Sequence, residues 1–382
     1  MSSTYTESEK DMDSGYVLVE VLTEETNHYT PTLEQIESGL TSDQWWVREE
    51  WAQRFDFTPT PKQVERGLAD ENTCVRLAWT ERMDFTPTPE QVEKGLKDKD
   101  LWVRRKWVER MDILPTSKQV RRGLKDTSFR VRAEWAARTD YTPTPEQVEM
   151  GLTDADATVR LVWAKRTDFT PSSEQVDRGL TDEDIWVRKM WVERMDLTPT
   201  QEQLQRGLMD VHRVVRLAWA ERMDFTPTSE QVEIGVNDGY SDVREAWARR
   251  MDWTPTLEQV KKGVCDSDEK VRIAWAQRTD YIATPELAEI GLTDAQWEVR
   301  LAWVERMDWT PTPEQVERGL RDEETQVVVA WILRPDVYWT EEDIKKGLQS
   351  GLASIRDAWE HVLLRRNEQA MEISDPASLI SI

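Results

Sequence analysis

Carboxylates, guanidinium groups and indoles are the side chains of this sequence that could do chemistry. Its 382 residues include 74 Asp and Glu, 50 Lys and Arg, 20 Trp, three His and two Cys. Paired carboxylates can serve as general acid and base, but a catalytic pair is singular, and here the acidic residues recur at a fixed interval. His28, His212 and His361 belong to different regions, and Cys74 and Cys265 stand far apart without a CxxC. No nucleophile motif, phosphate-cradling glycine loop or metal-spaced ligand set is present. The sequence therefore predicts no catalytic centre, no cofactor and no bound metal.

Two arginine series recur. Arg48, Arg76, Arg104 and their equivalents appear in eleven of twelve units, as do Arg54, Arg82, Arg110 and theirs. A basic stripe could take phosphate. A ladder could instead join each Arg to Asp70- or Asp84-type carboxylates in its own and the next unit, since the guanidinium fork binds carboxylates bidentately. The matching number of Asp favours the ladder, which is charge-neutral and leaves no phosphate site.

Two carboxylate rows follow. Glu34, Glu90, Glu146, Glu174, Glu202, Glu230, Glu258, Glu286 and Glu314 stand in first turns, where the helix dipole accounts for them. Glu37, Glu65, Glu93, Glu149, Asp177, Glu233, Glu289 and Glu317 stand three residues on. The dipole explains this second row less well. It is either a solvated face that keeps the protein soluble or a negative rail for a basic protein.

The element that must position these groups is a 28-residue unit, for example Thr86 to Ile113. Trp51, Trp79 and their successors to Trp359 keep this interval twelve times, as do Gly39 to Gly347. A fixed period in this range signals stacked supersecondary units. In the unit Thr60 to Phe85, Thr60, Pro61 and Gln63 predict an N-cap, N1 proline and capping box. Val64, Gly67 and Leu68 then form the apolar stripe of a short helix A. The recurring glycine, costly in a helix, predicts a neighbouring backbone or Trp ring packed against it, or the helix end. Asp70 is expected to N-cap a longer helix B that buries Val75, Ala78, Trp79, Arg82 and Met83. The periodic Trp are expected in the core, each indole N–H finding a carbonyl.

Between the Asp and the Val-Arg of each unit, four residues vary freely. There the first units collect Trp45, Trp46, Leu101, Trp102, Phe129, Ile185 and Trp186, and a later unit has Trp297. Trp102 lies about 140° from Trp107 on a 3.6-residue helical wheel. Exposed aromatics mark binding surfaces; the alternative is that they wedge between adjacent B helices or against a folded N-terminal segment.

Net charge is −24, which argues against ordinary phosphate neutralisation by Lys and Arg. The one local exception is Arg104, Arg105, Lys106, Lys118, Arg121, Arg122, Lys125, Arg130 and Arg132. No apolar run is long enough to span a bilayer, no secretory pattern opens the chain, and two Cys fit reduced thiols in a cytoplasmic protein. Residues 1–28 read as an acidic tail in which Tyr16–Leu22 could cap the first repeat, residues 29–364 as twelve repeats, and 365–382 as a tail. Repeat ten departs from the pattern at Ala283 and Leu287, repeat eleven at Val328 and Pro335, and repeat twelve at Trp339.

The run Asp70, Val75-Arg76, Ala78, Thr86-Pro87, Leu96 and Asp98 resembles the leucine-rich repeat variant family and, more broadly, HEAT-type repeats. The resemblance covers residues 29–364 and implies an all-α, curved α-solenoid used for macromolecular binding. The sequence departs from it in unit length, in placing Trp at the core position, and in lacking a counterpart to the iron–sulfur Cys cluster of the founding variant protein. The expectation is a non-catalytic scaffold that binds a protein partner, one that is basic or bears an apolar patch, with no membrane contact and nucleic acid disfavoured. The alternatives are a nucleic-acid-mimicking inhibitor of a DNA-binding enzyme, as in phage or mobile-element antidefence, and direct nucleic-acid binding through the basic patch of repeats three and four.

Overall fold

The computed structural model describes residues 30–374, with side chains through residue 368. The expected N-terminal cap, Tyr16–Leu22, lies outside the described residues. Among those described, every repeat is a pair of helices, A and B, twenty-four helices in all and no strand. The architecture is an all-α repeat solenoid.

Each helix A starts where the sequence requires. The Thr60 N–H donates to Gln63 Oε1 at 2.8 Å and the Gln63 N–H to Thr60 Oγ1 at 3.4 Å, ahead of helix A at Pro61–Leu68. The same reciprocal box opens every helix A except Pro285–Leu292, where Leu287 has no side-chain acceptor to complete it. Helix B corrects the sequence reading. Its N-cap in repeat two is Asn72, whose side chain accepts from Cys74 N at 2.8 Å, and not Asp70. Asp70 stands two residues earlier and accepts the Asn72 N–H at 2.9 Å. That leaves most of its carboxylate free for another repeat.

The chain forms two compact units, divided between Trp135 and Ala136, inside helix B of repeat four (Phe129–Ala137). In the first unit, Ile36, Leu40, Ala52, Phe57, Val64, Val75, Ala78 and Trp79 make one core cluster. In the second, a continuous core runs from Val192 to Trp331. Within each unit, helix B packs on helix A of its own repeat and on helix B of the next.

Three contacts repeat along the stack. First, Trp packs against the glycine twelve residues before it. A Cβ built on Gly67 would stand 2.1 Å from Trp79 Nε1, so the glycine is demanded by space. Not every buried indole N–H finds a carbonyl: those of Trp163, Trp247 and Trp303 have no partner among the described residues.

Second, Arg82, fully buried, reaches back to the end of the preceding helix B (Trp45–Ala52). Its Nη1 donates to Ala52 O at 3.0 Å and to Arg54 O, and its Nη2 to Phe57 O at 3.0 Å, while Asp84 takes Nε and Nη2. A helix end leaves carbonyls without partners and carries partial negative charge; the next repeat's arginine supplies both donors and charge. Arg278 repeats the arrangement in the second unit on Ala248, Arg250 and Trp253.

Third, Arg48 forks onto Asp70 of the next repeat at 2.7 and 2.9 Å. The two arginine series are therefore structural. Met83 departs from the expected stripe: it is 59% exposed, because the adjacent Arg82 takes the inward position.

The last junction is built differently. Val328 and Ser350 replace the Arg and Asp, and Val328, Ile332, Trp339, Ile344, Ala358, Trp359 and Val362 form an apolar cluster instead. Trp339 meets Trp359 edge-on with ring centroids 4.8 Å apart. The final helix B continues from Ala353 to Ser374, so the expected tail from residue 365 begins as helix.

Candidate functional site

The variable positions at the start of helix B separate into two classes. Trp46, Trp102 and Trp186 are 54, 45 and 53% exposed. Leu101, Phe129 and Ile185 precede such positions by one residue or share their register, and are half-buried. One residue turns a helix by about 100°, which carries the first class outward and tucks the second against the stack. Trp45 is 40% exposed and meets Trp46 edge-on at 5.9 Å. Trp297 is half-buried and packs against the core cluster of the second unit. The aromatic set is thus partly exposed and partly packed.

Among these exposed Trp, Trp102 has cations beside its ring. The guanidinium of Arg130 lies 5.4 Å from the Trp102 ring and 4.7 Å from Phe129, and that of Arg105 lies 5.9 Å from Trp102. Sequence reasoning missed Tyr240, 51% exposed, with Arg213 and Arg216 over its ring at 5.4 and 5.6 Å. It also missed an exposed methionine series of which Met83, Met111, Met195 and Met223 are members. The signal was available: Thr139, Thr167 and Thr279 occupy the same register, a polar alternation that favours an exposed position.

The second carboxylate row is largely paired. Arg66 meets Glu37 at 2.6 Å, Arg122 meets Glu93 at 2.6 Å, Arg178 meets Glu149 at 2.7 Å, Arg206 meets Asp177 at 3.1 Å and Arg318 meets Glu289 at 2.7 Å. Each joins helix A of one repeat to helix A of the next. The bonds from Arg66 and Gln63 hold Glu37 at about 2, and those from Arg122 and Lys97 hold Glu93 at about 2, against an ordinary 4.5. Glu233 accepts from Gln259 at 3.0 Å, Glu317 pairs at 2.5 Å with Arg321 just beyond the end of its own helix, and Glu65 has no ion pair among the described residues.

The sequence co-varies at this contact. Eight acids of the row, Glu37 to Glu317, are each followed 29 residues later by Arg or Lys. Where the row holds Arg121, Gln205 or Lys261 instead, that position is Met150, Ile234 or Ile290. The first-turn carboxylates are uncompensated as well. In the second unit Glu146, Glu174, Glu202, Glu230, Glu258, Glu286 and Glu314 are exposed, with no ion pair among the described residues.

Most of the basic patch is spent on neighbours. Arg104 forks onto Asp126 at 2.8 Å, Arg105 meets Glu134 at 3.0 Å, Lys106 meets Glu109 at 3.1 Å, and Arg122 holds Glu93. Lys118, Arg121, Lys125 and Arg130 are exposed, with no ion pair among the described residues. His212 and His361 are exposed in separate repeats. Among the described residues no group of three or more His, Cys, Asp and Glu is placed to hold a metal ion. No described helix is long and apolar enough to cross a membrane.

No family model matches the chain, and no curated protein matches it. Among solved structures it is similar to a leucine-rich repeat variant described as having a novel repetitive protein structural motif. The two share 22% identity over 64% of this chain and 86% of that one, with a TM-score of 0.43.

Proposed function

We propose that the chain is a non-catalytic scaffold that holds a protein partner against the exposed aromatic starts of its B helices. The observation that carries this reading is the placement of Trp46, Trp102 and Trp186. The chain buries eleven of its twelve periodic Trp, Trp79 to Trp359, at 5% exposure or less, yet leaves these three about half in solvent. Trp is among the side chains that dominate protein interfaces, and at Trp102 two arginines stand beside the ring. The two free, exposed thiols, Cys74 and Cys265, support a reducing, cytoplasmic setting.

The nucleic-acid-mimic reading has less support. DNA presents one charge per roughly 1.7 Å of axis. The free first-turn row offers one carboxylate per repeat, at a helix spacing of roughly 8–10 Å, and the second row is largely neutralised. Direct nucleic-acid binding would rest on four unpaired cations, too few to offset the charge of the rest of the chain.

The test is capture of a partner from lysate of the native host at low and high salt, comparing wild type with Trp102→Ala/Trp186→Ala. Retention at high salt that the substitutions abolish supports the scaffold. Capture of a DNA-binding enzyme at low salt alone, indifferent to the substitutions, would replace it with the mimic.

A further inference from the structure

The arginine series that begins at Arg54 and Arg82 stops one repeat short: its twelfth position is Val362. Arg334 still serves Val304, Arg306 and Trp309, but no arginine follows to serve the end of its own helix B (Thr325–Leu333). Two other donors share that role. Trp339 Nε1 donates to Ile332 O at 3.0 Å, and Arg365 Nη1 to Leu333 O at 3.4 Å. Neither fills the space. A cavity of about 220 Å³ lies there, bounded by Val362 and by Arg334 and Val337, the equivalents of Arg54 and Phe57 beside Arg82.

We propose that this cavity binds a small carboxylate with an apolar body. Its wall is cationic in an acidic chain. Arg365 has no ion pair among the described residues, and Arg366 spends Nη2 on the exposed Glu341 at 3.1 Å. Arg366 Nη1 is buried without a hydrogen-bond partner among the described residues. A buried charged donor is costly to leave unpaired, and a carboxylate is the acceptor that a guanidinium holds most strongly. Asp336, the acid on the wall, is already held by Arg334 at 2.7 Å.

The rest of the wall is apolar, with Trp339, Ile344 and Val362 buried beneath it. Inorganic phosphate has no body for these side chains to cover, and a cation is opposed by both arginines. The volume is below the roughly 300–1,000 Å³ of drug-sized sites, so the ligand is small. The same chemistry could arrive as a free organic acid or as the terminal carboxylate of a partner polypeptide. None of these residues is among the aromatic helix B starts, so the site stands or falls apart from the scaffold reading.

The experiment is fluorine NMR of 4-fluorobenzoate with the full chain. Saturable line broadening is expected, with none for the neutral 4-fluorobenzamide, and Arg366→Gln should weaken binding several-fold. Val362→Arg restores the arginine series and fills the cavity. It should abolish binding although it adds positive charge, whereas general attraction of the anion to surface cations would strengthen. Circular dichroism checks that both variants keep the wild-type helix content; if Val362→Arg does not, Arg366→Gln carries the test. Equal binding of the amide, no broadening at millimolar ligand, or binding that a folded Val362→Arg retains would overturn the proposal. A Gly-Gly-(4-fluoro-Phe) peptide with a free carboxylate separates the sources. Tighter binding than 4-fluorobenzoate assigns the site to a polypeptide terminus, and weaker binding to a free acid.

Discussion

Gly151 and Trp163 approach so closely that a Cβ on the glycine would stand 2.0 Å from the indole Nε1. Helix propensity alone favours Ala over Gly by about 1 kcal/mol. Overpacking a filled core costs roughly 1–3 kcal/mol or more, and here the obstacle is a buried, rigid ring. Gly151→Ala is therefore expected to destabilise, with increased amide exchange in repeats five and six. Gly239, which has nothing within 4 Å of its Cβ position, is the control; Gly239→Ala should stay near neutral.

Arg278→Lys tests the reach of one repeat into the last. The guanidinium serves three carbonyls of the preceding repeat and Asp280 at once, and an ammonium cannot span them. The side chain is 1% exposed, and breaking a buried pair costs on the order of 3 kcal/mol. Urea denaturation should show a loss of that order. A loss near zero would mean that the carbonyls are satisfied by water.

Glu289 and Arg318 are each about half exposed, so their contact is a surface pair. A double-mutant cycle should give a coupling of about 0.5 kcal/mol that falls with added salt. Gln205 and Ile234, at the equivalent register, should show none, since Ile234 packs on the core instead.

Acid should weaken the helix A ladder over a defined window. The folded pKa values of Glu37 and Glu93, about 2, lie below the ordinary 4.5. A group depressed on folding stabilises above its unfolded pKa and loses that contribution as pH falls through the folded one. Thermal stability is expected to hold from neutrality to about pH 5 and then to decline towards pH 2. Glu37→Gln/Glu93→Gln should flatten that decline; an unchanged acid profile would contradict the role given to these pairs.

The repeat, the capping boxes and the Trp core were legible because each depends on residues close in sequence. Gly67 was legible as a packing site or a helix end, and the Trp79 ring against it shows the packing. Less legible was whatever depends on the neighbouring repeat. Arg82 was read as a partner for Asp84, which it is, but its carbonyl acceptors on Ala52, Arg54 and Phe57 carry no sequence signature. Asp70 was misread as an N-cap because capping and ladder positions differ by two residues and favour the same side chains. The Glu37 row was left between solvation and binding because its arginine lies 29 residues away; the co-variation with Met150, Ile234 and Ile290 held that answer. Exposure at Trp46 and burial at Trp297 differ by one register position, within the error of any helix start read from sequence.

The junction code bears on how such an array changes over generations. A gene for near-identical units grows and shrinks by unequal recombination, which joins repeats that were not neighbours. Joining the repeat of Glu289 to one that presents isoleucine would strand a carboxylate beside an apolar side chain. Joining the repeat of Gln205 to one that presents arginine would leave a cation unanswered. Such mismatched junctions are expected to be less favourable, so copy-number changes are expected to cluster at junctions of matching type.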